Sequence, residues 1–299
     1  MKILLLGKQG QVANALQRSL QPHGEVFCVG RNELDIADLA KLQAYLKLQD
    51  PDVIVNAAAY TAVDLAQTES AKAYQINAQA VELLAHHAAQ RQALLIHYST
   101  DYVFDGSSQN AYHEEDATNP QNVYGSSKLA GEQAILKSGC VSMIFRTSWV
   151  YSAHGNNFIK TILKHASQKD QLRVVADQWG VPTSADLIAD VTSIALARYR
   201  FDPSVAGLYH LTPAGKTNWL ELARFVVQYA TKLGIPLKTS EDRIQAITSA
   251  DYPTPAQRPK NSLLSSQKLE TTFHLQLPQW QTGVQHMLNQ LFTSFNMGS

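Results

Sequence analysis

Over its first 150 residues the chain alternates short, uninterrupted apolar runs with stretches of helical spacing, and this rhythm limits the folds open to it. The runs lie at 2–6, 26–29, 53–56, 94–98 and 142–147. Between them, residues 12–20, 39–47, 71–90 and 124–137 carry Ala, Leu and Gln at helical spacing. A strand with one wet face alternates polar and apolar residues, whereas these runs are apolar throughout and call for cover on both faces. The expected architecture is α/β, a Rossmann-like doubly wound parallel sheet with helices on both sides.

After Trp149 the rhythm breaks. Residues 151–157 read as a polar loop, 157–167 as a helix, 172–175 as a short strand and 179–183 as a turn. Helices are expected at 185–198, 218–233 and 280–292, with a strand at 207–212. Pro253, Pro255 and Pro259 make 247–259 an extended, irregular segment. Residues 1–150 are therefore read as a dinucleotide-binding domain, rejoined by about 184–212. Residues 151–299 are read mainly as a smaller, loop-rich α/β substrate domain.

Composition narrows the function classes. The chain is 45% hydrophobic and 17% charged, enough to bury a core and unlike a disordered chain. Lys plus Arg is 25 and Asp plus Glu is 25, so no basic excess marks a nucleic-acid partner. Cys28 and Cys140 make neither a disulfide framework nor a metal clip, and no metal site is expected. Gly7 ends the opening apolar run, which is too short for a signal peptide core or a membrane span. A soluble, cytoplasmic protein without a membrane partner is expected.

The residues at the ends of the runs carry the chemistry. Gly7, Gly10 and Ala13 follow the first strand in the pattern Gly-x-x-Gly-x-x-small, which suits a phosphate held on the N–H groups of a helix start. The second strand ends in Val29-Gly30-Arg31 with no acidic residue for a ribose 2′-hydroxyl. A guanidinium there can pair with a 2′-phosphate, so NADPH is the expected cofactor, with NADH possible. Asp35 and Ile36 would reach the adenine edge. Tyr124 and Lys128 stand at i and i+4, where an ammonium can draw down the proton affinity of a phenol. With 12 tyrosines in the chain, about 0.6 such pairs arise by accident. Context therefore decides, because Ser99 and Thr100 end the fourth strand, where ligands of doubly wound sheets bind.

Together with GKQGQV (7–12), VNAAAYTAVD (55–64), HYSTDYVFDG (97–106), NVYGSSKLAGE (122–132), FRTSWVY (145–151), GNNF (155–158) and YPTPAQRPKNS (252–262), these residues resemble the extended short-chain dehydrogenase/reductase family. The matching stretches run nearly the length of the chain and are most similar to a branch that reduces dTDP-linked keto sugars. The resemblance implies that Tyr124 protonates the sugar O4 as hydride reaches C4. It implies that Lys128 holds the nicotinamide ribose and that Thr100 orients the carbonyl, with Asp101 against the sugar. Gly10, Gln11 and Val12 would wrap the pyrophosphate. Ala59, Tyr60 and Thr61 would line the cofactor, and Tyr98 would border it. Trp149 would pack on the sugar nucleotide, with Asn157 and Arg258 toward its ring and diphosphate.

The chain also departs from the family pattern. Relatives that pair around magnesium use acidic residues where this chain has Ala15 and Gln290, leaving Asp186 alone. A monomer or weak homodimer is expected, without a metal bridge. Tyr102 follows Asp101 where a dehydratase of the family needs a glutamate. Two alternatives stay open: another nucleotide-sugar epimerase or reductase of the family, and a non-catalytic nucleotide-binding subunit on the same fold.

Overall fold

A computed structural model describes residues 1–296 of the chain; the last three residues of the expected substrate domain lie outside them. Its centre is a six-stranded, wholly parallel sheet built from β1 (Lys2–Leu6), β2 (Glu25–Val29), β3 (Val53–Asn56), β4 (Leu94–Thr100), β5 (Ser142–Thr147) and the strand Gly207–His210. Across the sheet the order is Gly207–His210, β5, β4, β3, β1, β2.

The apolar runs are buried on both faces. Ile3 and Leu5 of β1 point to one side, where Leu16 and Leu20, at the end of helix α1 (Gln11–Ser19), meet Ile188 and Leu196 of the helix Ala185–Tyr199. Leu4 and Leu6 point to the other, against Leu42 and Leu46 of α2 (Leu39–Gln49), Leu84 of the helix Ala80–Arg91 and Ile135 of the helix Val123–Ser138. Neither side of β1 meets water, so its sequence has no reason to alternate. A third core, with Ile159, Ile162, Leu222, Val226, Trp280 and Val284, lies in the second half of the chain.

Chain direction across the sheet reverses between β1 and β3, which opens a crevice at the carboxyl ends of the strands. Gly7 turns the chain there at φ +102°, and a Cβ would lie 2.9 Å from the backbone of Ala57 at the end of β3. Only glycine fits that turn.

Four local expectations are corrected. Residues 71–90 are not one regular helix, because a wide π-turn at Gln75–Gln79 separates Ser70–Tyr74 from Ala80–Arg91. Residues 179–183 hold two short strand pieces rather than a turn alone. Trp179–Gly180 pairs with Thr217–Asn218, and Thr183–Ser184 pairs with Val150–Tyr151. Two-residue pieces with remote partners leave no local period to detect. Upstream of the proline-rich segment, Ile244–Ile247 forms a strand on Leu172–Val175 that was not anticipated. Within that segment Ser249–Asp251 closes a 3₁₀ turn, capped by Thr248. Among the described residues no helix is long and apolar enough to cross a membrane, no cluster could hold a metal ion, and both cysteines are free.

Candidate active site

A cleft of about 820 Å³ runs along the carboxyl ends of the strands and under the loops of the second half. Gly7, Gly10, Gln11 and Val12 form one end of it. Helix α1 starts at Gly10 with no side chain capping it and no acidic residue in its first turn. Its first N–H groups are thus available to an anion, and the helix dipole favours one there.

Arg31, Asp35 and Ile36 line the same end beyond β2. Arg31 and Asp35 are exposed, while Ile36 is buried. Glu33, two residues after Arg31, does not line the cleft. It accepts the Gly30 N–H at 3.0 Å and pairs with Lys8 at 2.9 Å. Arg31 and Asp35 are thus the charged residues that line this end of the cleft.

The loop after β3 forms the floor. Ala59 and Thr61 face the cleft, but Tyr60 does not line it. Its ring is buried, its hydroxyl donates to Glu69, and its N–H donates to Asn77 Oδ1 at 2.9 Å. Asn77 sits in the π-turn and returns an N–H to Tyr60 O at 3.1 Å and another to Ser127 Oγ at 3.0 Å. The extra residue of that turn fixes the floor to the helix that carries Tyr124 and Lys128.

That helix, Val123–Ser138, is capped by Asn122, whose side chain accepts from Gly125 N–H at 2.8 Å. Gly125 is required by contact, since a Cβ would fall 2.1 Å from Tyr102 O. The close approach sets Tyr124 against the end of β4, with the Tyr102 and Tyr124 rings edge to face at 5.9 Å. Burial pushes the Tyr124 phenol up to about 12, a hydrogen bond with Thr100 pulls the other way, and the charge of Asp101 adds to the rise. Lys128 is buried as well, and its Nζ donates to Tyr98 O at 2.6 Å. Burial lowers its ammonium to about 8, against the opposing attraction of Glu132.

Thr100 donates to Asp101 Oδ1 at 2.8 Å and accepts the Tyr102 N–H at 3.2 Å. Burial raises the Asp101 carboxyl to about 6 despite bonds from Ser262 and Thr100. Ser99 Oγ, Asp101 Oδ2 and Thr147 Oγ1 are buried in cleft-lining residues without a protein partner. Polar atoms in that state fit a ligand rich in hydroxyl and amide groups. Tyr98 lines the cleft too, but its hydroxyl turns away and donates to Thr192 Oγ1 at 2.8 Å.

The far wall comes from the second half. Trp149 lines the cleft at φ +47° and stacks on Trp219, with centroids 3.6 Å apart and planes 14° from parallel. Trp219 was not singled out in the sequence, where 70 residues separate it from its partner and no motif surrounds it. Asn157 and Arg258 do not line the cleft. Asn157 caps the helix Phe158–Gln168 and donates to Gln11 Oε1 at 3.1 Å, tying the second half to the phosphate loop. Arg258 is held by Asp64.

Known proteins share this fold. The family model described as "RmlD substrate binding domain" matches residues 1–293. A dTDP-4-dehydrorhamnose reductase of Escherichia coli strain K12 is 47% identical over 298 residues, covering 98% of this chain and 99% of that one. The crystal structure of such a reductase from Clostridium acetobutylicum superposes with a TM-score of 0.88 at 34% identity, covering 97% of this chain and 99% of the other. One from Bacillus anthracis, solved in complex with NADP, gives 0.87 at 31% identity, covering 97% and 100%.

Proposed function

The chain belongs to the RmlD substrate binding domain family, and on that premise we propose that it uses NADPH to reduce the C4 keto group of dTDP-4-dehydro-L-rhamnose to give dTDP-L-rhamnose. The observation that carries this reading is the meeting of Thr100, Tyr124 and Lys128 in one cleft with the uncapped start of α1. A dinucleotide fits the residues present: backbone N–H groups after Gly10 for the pyrophosphate, Arg31 for a 2′-phosphate, and Lys128 for the nicotinamide ribose. When bound, the reduced nicotinamide supplies the hydride.

The protein's own part is binding and proton transfer. Tyr124 keeps its proton in its buried setting until an oxyanion develops at O4, and then gives it up. Thr100 would turn its one hydroxyl hydrogen from Asp101 Oδ1 to the same oxygen and fix the carbonyl relative to Tyr124. Lys128, anchored on Tyr98 O, has remaining donors for the ribose and a charge that favours the phenolate left behind. Asp101 Oδ2, Ser99 and Thr147 offer their open positions to the sugar. Trp149 gives a flat apolar wall to the sugar nucleotide, and Arg258, paired with Asp64 outside the cleft lining, is the residue proposed for its diphosphate.

The test is oxidation of NADPH by the purified protein with dTDP-4-dehydro-L-rhamnose, followed by near-ultraviolet absorbance. Stoichiometric cofactor oxidation is expected. An epimerase would convert its substrate with no net consumption of cofactor, and a non-catalytic subunit would bind without turnover.

A further inference from the structure

His97 lies beneath Lys128, fully buried at the centre of β4. Its hydrogen bonds assign its tautomer. Asn56, opposite it at the end of β3, accepts the Ala58 N–H on Oδ1 at 3.2 Å, which fixes which end of the amide is which. The other end, Nδ2, therefore donates to His97 Nδ1 at 3.1 Å. A neutral imidazole that accepts at Nδ1 carries its hydrogen on Nε2. That Nε2 lies 3.2 Å from Lys128 Nζ. The lysine thus meets a donor on this side and an acceptor, Tyr98 O, on another.

An ammonium group has only hydrogens to offer and cannot accept from Nε2–H, whereas a neutral amine has a lone pair that can. We propose that His97 is a positioning residue of the proposed reaction: by presenting N–H to Lys128 it loosens the ammonium's hold on its proton, so that Lys128 can return a proton to the Tyr124 phenolate and then take one up again. This inference rests on the reductase reading for its chemistry but not for its geometry. The other groups bearing on Lys128 sit on its own helix. Glu132, one turn on, favours the ammonium, but its carboxylate is shared with Arg146 through contacts at 2.7 to 3.2 Å. Tyr124 lies one turn before. Burial and the neighbouring lysine both hold His97 itself well below its ordinary proton affinity, so it stays neutral as the lysine titrates. Asn56 and His97 are both buried outside the cleft lining, so His97 acts on the cleft through its contact with Lys128.

Two measurements decide the matter. Nitrogen-15 correlation spectra of the cofactor-free protein should show His97 as the neutral Nε2–H tautomer throughout the pH range in which the protein is folded. An Nδ1–H tautomer, or protonation near the ordinary histidine value, would overturn the proposal. In the second, His97→Gln places an amide that can turn its oxygen to Lys128. The alkaline limb of kcat/KM should then move up by about one pH unit with NADPH affinity unchanged. A uniform loss of kcat with the limb unmoved would mean that His97 only packs, and would overturn the proposal. Absence of turnover in the unsubstituted protein would count against the reductase reading, while the tautomer, read without substrate, still decides the role of His97.

Discussion

Arg258 grips Asp64 with both arms of its guanidinium, donating Nη1 to Oδ1 at 3.0 Å and Nη2 to Oδ2 at 2.8 Å across 194 residues of sequence. The pair fastens the proline-rich segment to the short helix Val63–Ala66 after the cleft floor. Asp64 thereby fixes the place of the Arg258 guanidinium, which lies outside the cleft lining with its charge already partnered. Asp64→Asn should therefore raise the KM for the nucleotide sugar by roughly tenfold through loss of aim, with kcat little changed. A lower KM in steady-state assays would mean that Asp64 competes with the substrate and does not position Arg258.

Much of the cleft along the strand ends was legible in the sequence because each signal there is local. Gly7, Gly10, Arg31 and Thr100 each sit at or just past a strand end, and strands buried on both faces announce themselves. The second half was harder to read. Trp219 meets Trp149 only through tertiary packing, and Arg258 meets Asp64 only because the chain returns over the cleft. The π-turn at Gln75–Gln79 was hidden as well, since it keeps helical composition while Asn77 is turned inward to Tyr60 and Ser127.

Tyr124→Phe should lower kcat by about 10²–10⁴ while changing the Kd for NADPH less than threefold or so, because the ring stays and only the proton donor is lost. Stopped-flow single turnovers with fluorescence titration of NADPH separate the two effects. Unchanged turnover would remove Tyr124 from the mechanism.

Arg31→Ala should lower kcat/KM for NADPH by roughly tenfold and leave the value for NADH nearly as it was, since a 2′-phosphate is the only group the two cofactors do not share. The unsubstituted protein should prefer NADPH. Equal or better use of NADH would show that the exposed guanidinium does not reach the cofactor.

Lys128 titrates lower in the fold, at about 8, than the 10.5 usual for lysine. The unfolded chain then binds the extra proton between those values, so stability rises with pH across that window and the cost is fully present below it. Lys128→Met should remove this cost, on the order of 3 kcal/mol, and raise Tm at pH 7 while abolishing turnover. Thermal melts at pH 7 and pH 10 should show the gap between variant and parent narrowing as pH rises.

Glu132 and Arg146 are both almost wholly buried and joined by bidentate bonds, with His210 and Glu114 O beyond. Glu132→Leu would strand the guanidinium and should cost about 3–5 kcal/mol by denaturant titration. Replacing both, as Glu132→Leu with Arg146→Met, should recover a large part of that loss. Failure of the double variant to recover would assign the loss to packing and not to charge.

The strand Gly207–His210 and the helix Ala185–Tyr199 lie in the central sheet and against α1, although the chain reaches them only after passing through the far wall of the cleft. A single cut therefore cannot part the molecule into a nucleotide module and a sugar module. A fragment ending near residue 150 would expose the apolar flank of β5 and leave Tyr98 without Thr192, so it should aggregate instead of binding NADPH. The same threading bears on inheritance. Recombination between relatives at that boundary would hand one parent's floor to the other's wall, so exchange of substrate range is expected to come from loop substitutions and not from module swapping.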